Sequence, residues 1–199
     1  MKKVVVLALL TMVFTPSFGQ EEEEKAKIIT FGFNAGINRS NLSFSSDREN
    51  GSDITNGLGY RFGLFTNVRL GKRFSFAPKV ELSFNASQLD QDGVSYEVNP
   101  MNLEFIGHLK FKFFKSKFSP YIIAGPNVRI PINSGRTNFL PTKRDIAIDV
   151  GIGLDIPIFK LKIAPEIRYS FGLMDIMENS SISQVKYHNI ALVLNFSGH

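Results

Sequence analysis

The chain of 199 residues contains no cysteine and no tryptophan. Without cysteine there is no disulfide framework, no thiolate metal site and no N-terminal cysteine that could carry a lipid anchor. Beyond the first 19 residues there is also no run of ~18 apolar residues of the kind that a transmembrane helix requires. The net charge of +5 is modest and forms no continuous basic stripe, so a nucleic-acid partner is not expected.

The N-terminal residues have the pattern of a secretory signal peptide. Lys2 and Lys3 form a positively charged start, Val4–Phe14 is apolar, and Ser17–Gly19 places small residues where a signal peptidase acts. We therefore expect an exported protein with a signal peptide at 1–19, a solvated acidic tail at 20–27 and one domain at 28–199.

The most informative pattern is in Asp145–Ile156, where apolar side chains alternate without exception with polar or small ones. A period of two is typical of a β-strand with one apolar and one polar face. The pattern recurs and predicts eight strands: Ile28–Asn38, Leu58–Leu70, Phe74–Ala86, Met101–Phe114, Pro120–Ile130, Asp145–Ile156, Leu161–Leu173 and Val185–Phe196. Their connections are alternately short and long, which is how outer-membrane barrels are built.

Alternation alone does not decide which face points outward, because a soluble lipocalin-like barrel has its apolar face inside. The apolar parity is free of charge in the strands predicted at 58–70, 74–86, 101–114 and 161–173, and one Lys or Arg in mid-membrane would cost ~2–4 kcal/mol. The polar parity mixes both signs of charge with glycines, which make room for long side chains in a narrow lumen. We therefore predict an all-β fold, an eight-stranded antiparallel transmembrane barrel of the outer-membrane type. Such a barrel is filled by its own side chains and should not conduct solutes.

The polar parity also supplies the candidate functional residues, a charge network in the lumen. We expect it to comprise Arg61, Lys79, Glu81, Glu104, His108, Arg129, Glu166 and Arg168. The three glutamates should pair with the lysine and arginines, because buried charges persist only when they are paired. His108 is the only histidine on the polar face of a strand, but no Ser-His-Asp spacing accompanies it, so we expect it to pair with a carboxylate.

No cofactor, metal or catalytic residue is assigned from the sequence. Asp145, Asp149 and Asp155 lack the loop spacing of a calcium site and are expected to be ordinary lumen carboxylates. Gly151 and Gly153 lie within a strand that opens no helix, so they do not form a phosphate-binding loop.

Two segments of the chain echo each other. Phe74–Phe84 (FSFAPKVELSF) aligns with Leu161–Phe171 (LKIAPEIRYSF), and each follows a short turn. Both carry an Ala-Pro pair near the start. Because proline has no N–H to donate, we expect Pro78 and Pro165 at the rim of the barrel or at a bulge.

Three stretches resemble the PorT-like outer-membrane β-barrel proteins of Bacteroidetes-type bacteria: Phe31–Asn38, Leu103–Ile130 and Lys143–Met174. The resemblance implies a barrel surrounded by outer-membrane lipid. The name-giving member of that family is an accessory of the type IX secretion system, so the resemblance also implies secretion or envelope proteins as partners. It transfers no catalytic residue. Three alternatives stay open: a small surface barrel that binds ligands or cells through its long loops, a lipid-modifying barrel enzyme, and a soluble periplasmic carrier.

Overall fold

The computed structural model describes residues 28–44, 53–55, 58–85, 88–91, 94–97, 101–114, 118–132, 144–174 and 185–198. These contain the strands β1 (Ile29–Phe44), β2 (Asp53–Thr55), β3 (Leu58–Arg69), β4 (Phe74–Phe84), β5 (Gln88–Gln91), β6 (Val94–Glu97), β7 (Met101–Lys112), β8 (Ser119–Pro131), β9 (Asp145–Ile158), β10 (Leu161–Gly172) and β11 (Val185–Gly198). Eight of them form a closed antiparallel barrel in the order β1-β11-β10-β9-β8-β7-β4-β3. The predicted fold is confirmed.

The barrel strands correspond one to one with the predicted ones. Seven of them begin and end within two residues of the predicted boundaries. β1 is longer, ending at Phe44 rather than Asn38, because its pairing with β11 continues as far as Phe44 opposite Val185. A strand that keeps a paired neighbour need not stop where its alternation becomes weak.

Two of the long connections contain strands that the sequence did not predict. β2 pairs with β5, and β5 pairs with β6, in a separate three-stranded sheet. These strands have only three or four residues each, too few for an alternating pattern to stand out. The described residues include no helix that is long and apolar enough to cross a membrane.

The two ends of the barrel differ in their connections. Short connections join β3 to β4, β7 to β8 and β9 to β10, and we call this side the short-turn end and the opposite side the long-loop end. β1 starts and β11 finishes at the short-turn end. The backbone N–H of Arg69 donates to the carbonyl of Ile28 at 2.8 Å, which fixes the start of β1 there. In outer-membrane barrels the short turns face the periplasm.

The burial of the strands follows their alternation. In β9, Ile148, Val150 and Ile152 are 39–60% exposed, whereas Asp145 and Asp149 are at most 1% exposed. β3, β4, β7 and β10 divide their faces in the same sense, with mostly apolar side chains outside and mostly polar or small ones inside. The predicted outward apolar face is therefore confirmed.

The expected position of the two prolines is wrong. Pro78 lies within the wall, opposite Gly107 of β7, and the β3–β4 ladder is interrupted beside it without a change of register. Pro165 likewise lies where the β9–β10 ladder lacks two pairs, again in constant register. Neither proline is therefore at a rim or at a bulge. A residue without an N–H is accommodated by leaving a gap in one ladder, which requires no inserted residue.

Candidate functional site: the charged barrel interior

The middle of the lumen is organised around the carboxylate of Glu81 on β4. Arg61 Nη1 on the neighbouring β3 donates to its Oε2 at 3.1 Å. Arg168 reaches the same oxygen from β10, the strand diametrically opposite in the barrel order. Asn34 Nδ2 donates to the other carboxylate oxygen at 2.9 Å. Two guanidinium groups and an amide thus surround one fully buried carboxylate.

This cluster extends around the barrel wall to the other charged residues at the same level along the barrel axis. Arg61 Nη1 also lies 3.5 Å from Glu104 Oε2. Arg168 Nη1 lies 3.8 Å from Asp149 Oδ2, and the same oxygen is 3.0 Å from His108 Nε2. The result is a continuous path of buried charged and polar side chains that runs Glu104–Arg61–Glu81–Arg168–Asp149–His108.

A second layer lies nearer the short-turn end. Lys79 Nζ on β4 donates to Glu166 Oε1 on β10 at 3.0 Å, and to Asn195 Oδ1 at 3.2 Å. The hydroxyl of Tyr121 donates to the second oxygen of Glu166 at 3.0 Å. Like the Arg168–Glu81 contact, the Lys79–Glu166 pair crosses the full width of the lumen, since β4 and β10 are opposite strands.

Four charged residues, Lys110, Lys112, Asp155 and Lys162, cluster at the short-turn end of the lumen. Asp155 accepts from Lys110 Nζ at 2.6 Å and lies 2.6 Å from Lys112 Nζ and 3.8 Å from Lys162 Nζ. Lys110 Nζ also lies 3.5 Å from the centre of the Tyr121 ring, a cation–π contact. Three ammonium groups therefore share one carboxylate.

A further cluster lies towards the long-loop end. Arg129 Nη1 donates to Asp145 Oδ2 at 2.8 Å and to the backbone carbonyl of Tyr187 at 3.0 Å. Its guanidinium also lies 4.9 Å from the centre of the Tyr187 ring. The hydroxyl of Tyr187 lies against that of Ser40, 2.5 Å away. This layer ties β8, β9, β11 and β1 together.

The structure places all eight candidate residues inside the barrel, each at most 5% exposed: Arg61, Lys79, Glu81, Glu104, His108, Arg129, Glu166 and Arg168. The expected partner of Arg129 is wrong, since it binds Asp145 rather than a glutamate. The registers set Arg129 opposite both Asp145 on β9 and Glu104 on β7. Its hydrogen bond goes to Asp145, while Glu104 accepts from Asn127 and lies 3.5 Å from Arg61.

The network has members beyond the eight candidates, and three of them, Asp145, Asp149 and Asp155, were expected as lumen carboxylates without an assigned partner. The further members are Asn34, Lys110, Tyr121, Asn127, Asp145, Asp149, Asp155 and Tyr187. Most share the polar parity of their strands, which was the available signal. Tyr121 was harder to find, because β8 carries apolar residues on both parities there and its neighbour Ile123 is buried as well.

The aspartates do not converge on a metal site. Asp145 binds Arg129, Asp149 binds His108, and Asp155 lies among lysines. Within the part of the chain that the structure describes, no group of three His, Cys, Asp or Glu side chains could hold a metal ion.

The His108–Asp149 pair has two of the components of a catalytic triad but not the geometry. His108 is 0% exposed, and its Nδ1 has no hydrogen-bond partner among the described residues. A triad uses the second ring nitrogen of the histidine to take a proton from a nucleophile. Here that nitrogen has no described nucleophile beside it, so the geometry favours a structural pair.

Long interior side chains fill the space that glycines leave. A Cβ at Gly153 would overlap the ring of Tyr121, and a Cβ at Gly63 would lie 2.7 Å from Cγ of Glu81. An interior cavity lined by Lys79, Tyr121 and Glu166 has only about 20 Å³, room for roughly one water molecule. The interior is therefore packed rather than open.

Comparisons with known proteins agree with this geometry. A family model described as "Outer membrane protein beta-barrel domain" matches residues 18–178. The crystal structure of Neisserial surface protein A is similar with a TM-score of 0.56 and 13% identity, over 84% of this chain and 96% of that one. The crystal structure of the outer membrane protein OprG from Pseudomonas aeruginosa has a TM-score of 0.53 and 12% identity, over 85% and 93%. At such identities the likeness concerns the fold. No curated protein matches the sequence.

Proposed function

Because the chain belongs to the outer membrane protein β-barrel family, we propose that it is a non-enzymatic, non-conducting barrel that acts through its rims and loops as an accessory of protein secretion or envelope assembly. The protein is located in the outer membrane. The observation that carries the proposal is the pair of ionic contacts, Glu81–Arg168 and Lys79–Glu166, that join opposite walls of the lumen. The PorT-like stretches of the sequence support the accessory role.

The cross-lumen contacts argue against a solute pore. A path along the barrel axis has to pass both layers, where the side chains are at most 5% exposed. Removing one partner of such a pair leaves an uncompensated buried charge, which costs ~3–5 kcal/mol. An open lumen is therefore energetically expensive, and the functional surfaces must lie elsewhere.

The same packing argues against chemistry in the lumen. His108 is enclosed and engaged by Asp149, with no described nucleophile at its other ring nitrogen. A lipid-modifying enzyme would need a substrate to reach these groups, and His108 and Asp149 are both 0% exposed.

The proposal is tested by deleting the gene and comparing the secreted and outer-membrane proteomes with those of the parent strain. We expect reduced export or altered outer-membrane composition, restored by the wild-type gene. The purified barrel should give no steady current in planar bilayers. A stable open channel, or a deletion strain with unchanged secretion and envelope, would contradict the proposal.

A second candidate function is ligand or cell binding through the long loops. It is favoured by the sheet of β2, β5 and β6, because two separate connections form it together. A variant in which short Gly-Ser linkers replace 45–57 and 86–100 would retain the barrel. Loss of cell or ligand binding with intact secretion would favour this second function, and the reverse result would favour the first.

A further inference from the structure

The two ends of the barrel differ in charge. At the short-turn end we count the described residues 28–30, 68–75, 110–114, 118–121, 153–163 and 196–198. Among them Asp155 is the one carboxylate, against seven cationic side chains: Arg69, Lys72, Arg73, Lys110, Lys112, Lys160 and Lys162. The described residues at the long-loop end, 38–44, 53–55, 58–61, 83–85, 88–91, 94–97, 101–104, 129–132, 144–147, 170–174 and 185–188, carry five carboxylates and five Lys or Arg side chains. The positive excess therefore lies at the end that faces the periplasm.

Three of these cations converge on the same carboxylate. Lys110 and Lys112 of β7 and Lys162 of β10, which we call the lysine cluster, all contact Asp155 of β9. Three ammonium groups and one carboxylate leave a net charge of about two, and like charges held this close repel each other. An anion bound at the lysine cluster would relieve this repulsion.

The three lysines differ in how far the protein already uses them. Lys110 Nζ donates to Asp155 at 2.6 Å and lies 3.5 Å from the centre of the Tyr121 ring, and its side chain is only 9% exposed. The side chains of Lys112 and Lys162 are 26% and 17% exposed. Lys162 Nζ lies 3.8 Å from Asp155 Oδ2, too far for a hydrogen bond. Because each ammonium group carries three N–H donors, Lys112 and Lys162 retain donors that a ligand can reach.

The packing beside the lysine cluster places the ligand on its outer side. The interior cavity that Lys110, Lys162 and Tyr121 line has only about 20 Å³. A ligand larger than water therefore binds between Lys112 and Lys162 without entering the lumen. Arg69 adds a further donor nearby, because it pairs with Ser75, which pairs with Lys110 on the next strand. Two strand spacings put the Arg69 backbone ~10 Å from that of Lys110, and the Arg69 side chain is exposed.

We propose that Lys112 and Lys162 bind a phosphate monoester group at the periplasmic end of the barrel, with Arg69 as an additional donor. Such a group carries about −1.5 to −2 charges at pH 7 and three acceptor oxygens, which matches the net charge and the free donors of the lysine cluster. A phosphodiester headgroup carries a single charge and neutralises only part of the excess. The group can belong to a soluble phosphate ester or to phosphatidic acid. This site goes beyond the proposed accessory role and does not depend on it.

The first test is lysine acetylation of the native protein, purified from outer membranes in uncharged detergent, with the modified peptides quantified by mass spectrometry. Glycerol 3-phosphate at ten times its Kd should slow the acetylation of Lys112 and Lys162 by about tenfold, relative to sodium chloride at equal ionic strength. Lys72, Lys160 and Lys186 should change by less than about twofold, because exposed charges interact only weakly with free anions. Equal slowing of all five lysines would overturn the proposal.

A second arm of the same assay identifies the source of the phosphate group. The protein is placed in phosphatidylcholine nanodiscs that also contain either phosphatidic acid or phosphatidylglycerol. Protection by glycerol 3-phosphate indicates a soluble ligand, and protection by phosphatidic acid alone indicates a lipid ligand; both results support the proposal. Equal protection by phosphatidylglycerol and phosphatidic acid, or no protection by any of the three probes, would overturn it.

The third test compares variants by a phosphorus NMR titration with glycerol 3-phosphate, or with short-chain phosphatidic acid if only the lipid arm protects. Lys112→Gln combined with Lys162→Gln should weaken binding by about tenfold or more, because two charge-assisted contacts are lost. Lys72→Gln combined with Lys160→Gln removes the same charge from exposed turns and should change the Kd by less than about twofold.

The conservative pair, Lys112→Arg with Lys162→Arg, keeps both charges and should retain binding, and heat-modifiable migration establishes that each variant is folded. If the Lys112 and Lys162 glutamine pair is folded and binds as well as the turn pair, the proposal is wrong. If the glutamine pair does not fold, the native acetylation pattern and the arginine pair decide: loss of binding in a folded arginine pair together with unprotected native lysines would overturn the site.

Discussion

Arg168 on β10 donates a hydrogen bond across the lumen to Glu81 on the opposite strand β4. The two residues occupy aligned positions of the repeated segments Phe74–Phe84 and Leu161–Phe171. The positions two residues earlier are Lys79 and Glu166, and they also meet across the lumen. The two segments therefore carry opposite charges at aligned positions, and the closed barrel brings each position against its counterpart.

Removing the central carboxylate should destabilise the barrel strongly. Glu81→Gln leaves Arg61 and Arg168 facing each other in a buried site, so we expect the free energy of unfolding to fall by ~3–5 kcal/mol. A urea titration in detergent micelles measures this free energy, and heat-modifiable gel migration reports the folded fraction at each urea concentration. The control is Lys160→Gln in the exposed β9–β10 turn, which should change stability by less than ~0.5 kcal/mol. Equal effects of the two variants would show that the central cluster is not a stabilising element.

Exchanging the charges of the second cross-lumen pair should restore most of what each single change loses. Lys79→Glu alone faces Glu166 with a second carboxylate, and Glu166→Lys alone creates a lysine pair. The double variant restores the opposite charges, and we expect an interaction free energy of up to ~3 kcal/mol in a double-mutant cycle. The restoration will be incomplete, because Asn195 accepts from Lys79 in the native chain. Purely additive losses would contradict a direct contact.

The strands and their faces could be predicted from the sequence because both follow from local alternation, as Asp145–Ile156 shows. The partners inside the lumen could not, because they depend on closure of the barrel and on the register between strands. Arg129 is the clearest example: its parity predicts an interior position, but it faces Asp145 on one neighbouring strand and Glu104 on the other, and only the folded barrel shows that it binds Asp145. The β2-β5-β6 sheet was missed for a related reason, since its short strands are defined by pairing between distant segments.

Substituting an interior glycine should lower the free energy of unfolding where a long side chain occupies the space beside that glycine. At Gly153, a Cβ would overlap Tyr121 and lie 2.8 Å from the carbonyl oxygen of Pro165. The side chain of Tyr121 is held in place, because its hydroxyl donates to Glu166 and its ring makes a cation–π contact with Lys110. We expect Gly153→Ala to cost ~1–3 kcal/mol of unfolding free energy.

The matched control for this glycine is Gly71→Ala in the β3–β4 turn. An added Cβ there meets no heavy atom within 4 Å. Its unfolding free energy, measured by the same urea titration, should stay within ~0.5 kcal/mol of the wild type. If Gly153→Ala is equally harmless, Tyr121 does not fill the lumen as described.

A cation on the outer wall should prevent stable insertion. Val150 is 40% exposed on the outer face of β9, and Leu82 lies on the outward parity of β4. Val150→Arg and Leu82→Arg should each cost ~2–4 kcal/mol in the membrane and reduce the folded fraction in outer-membrane preparations. Val150→Leu and Asp53→Arg in the loop strand β2 serve as tolerated controls. Similar folded fractions for all four variants would refute the outward assignment of this face.

The last prediction concerns His108, on which the structural and enzymatic interpretations differ. His108→Ala removes the partner of Asp149, whose carboxylate then keeps only the 3.8 Å contact with Arg168 among its charged neighbours. We expect a loss of ~2–4 kcal/mol in unfolding free energy, because a buried carboxylate loses a hydrogen bond and a cavity is created. His108→Gln, whose amide can still donate to Asp149, should recover part of this loss.

Lipid analysis of the same variants separates the interpretations. If His108 is a structural residue, mass spectrometry of outer-membrane lipids should show the same species in the wild type and in both variants, since stability alone has changed. If it is a catalytic base, a lipid product should disappear in His108→Ala and also in His108→Gln, because an amide cannot accept the proton. A product lost in a folded, heat-modifiable His108→Gln barrel would therefore replace the non-enzymatic proposal with a lipid-modifying one.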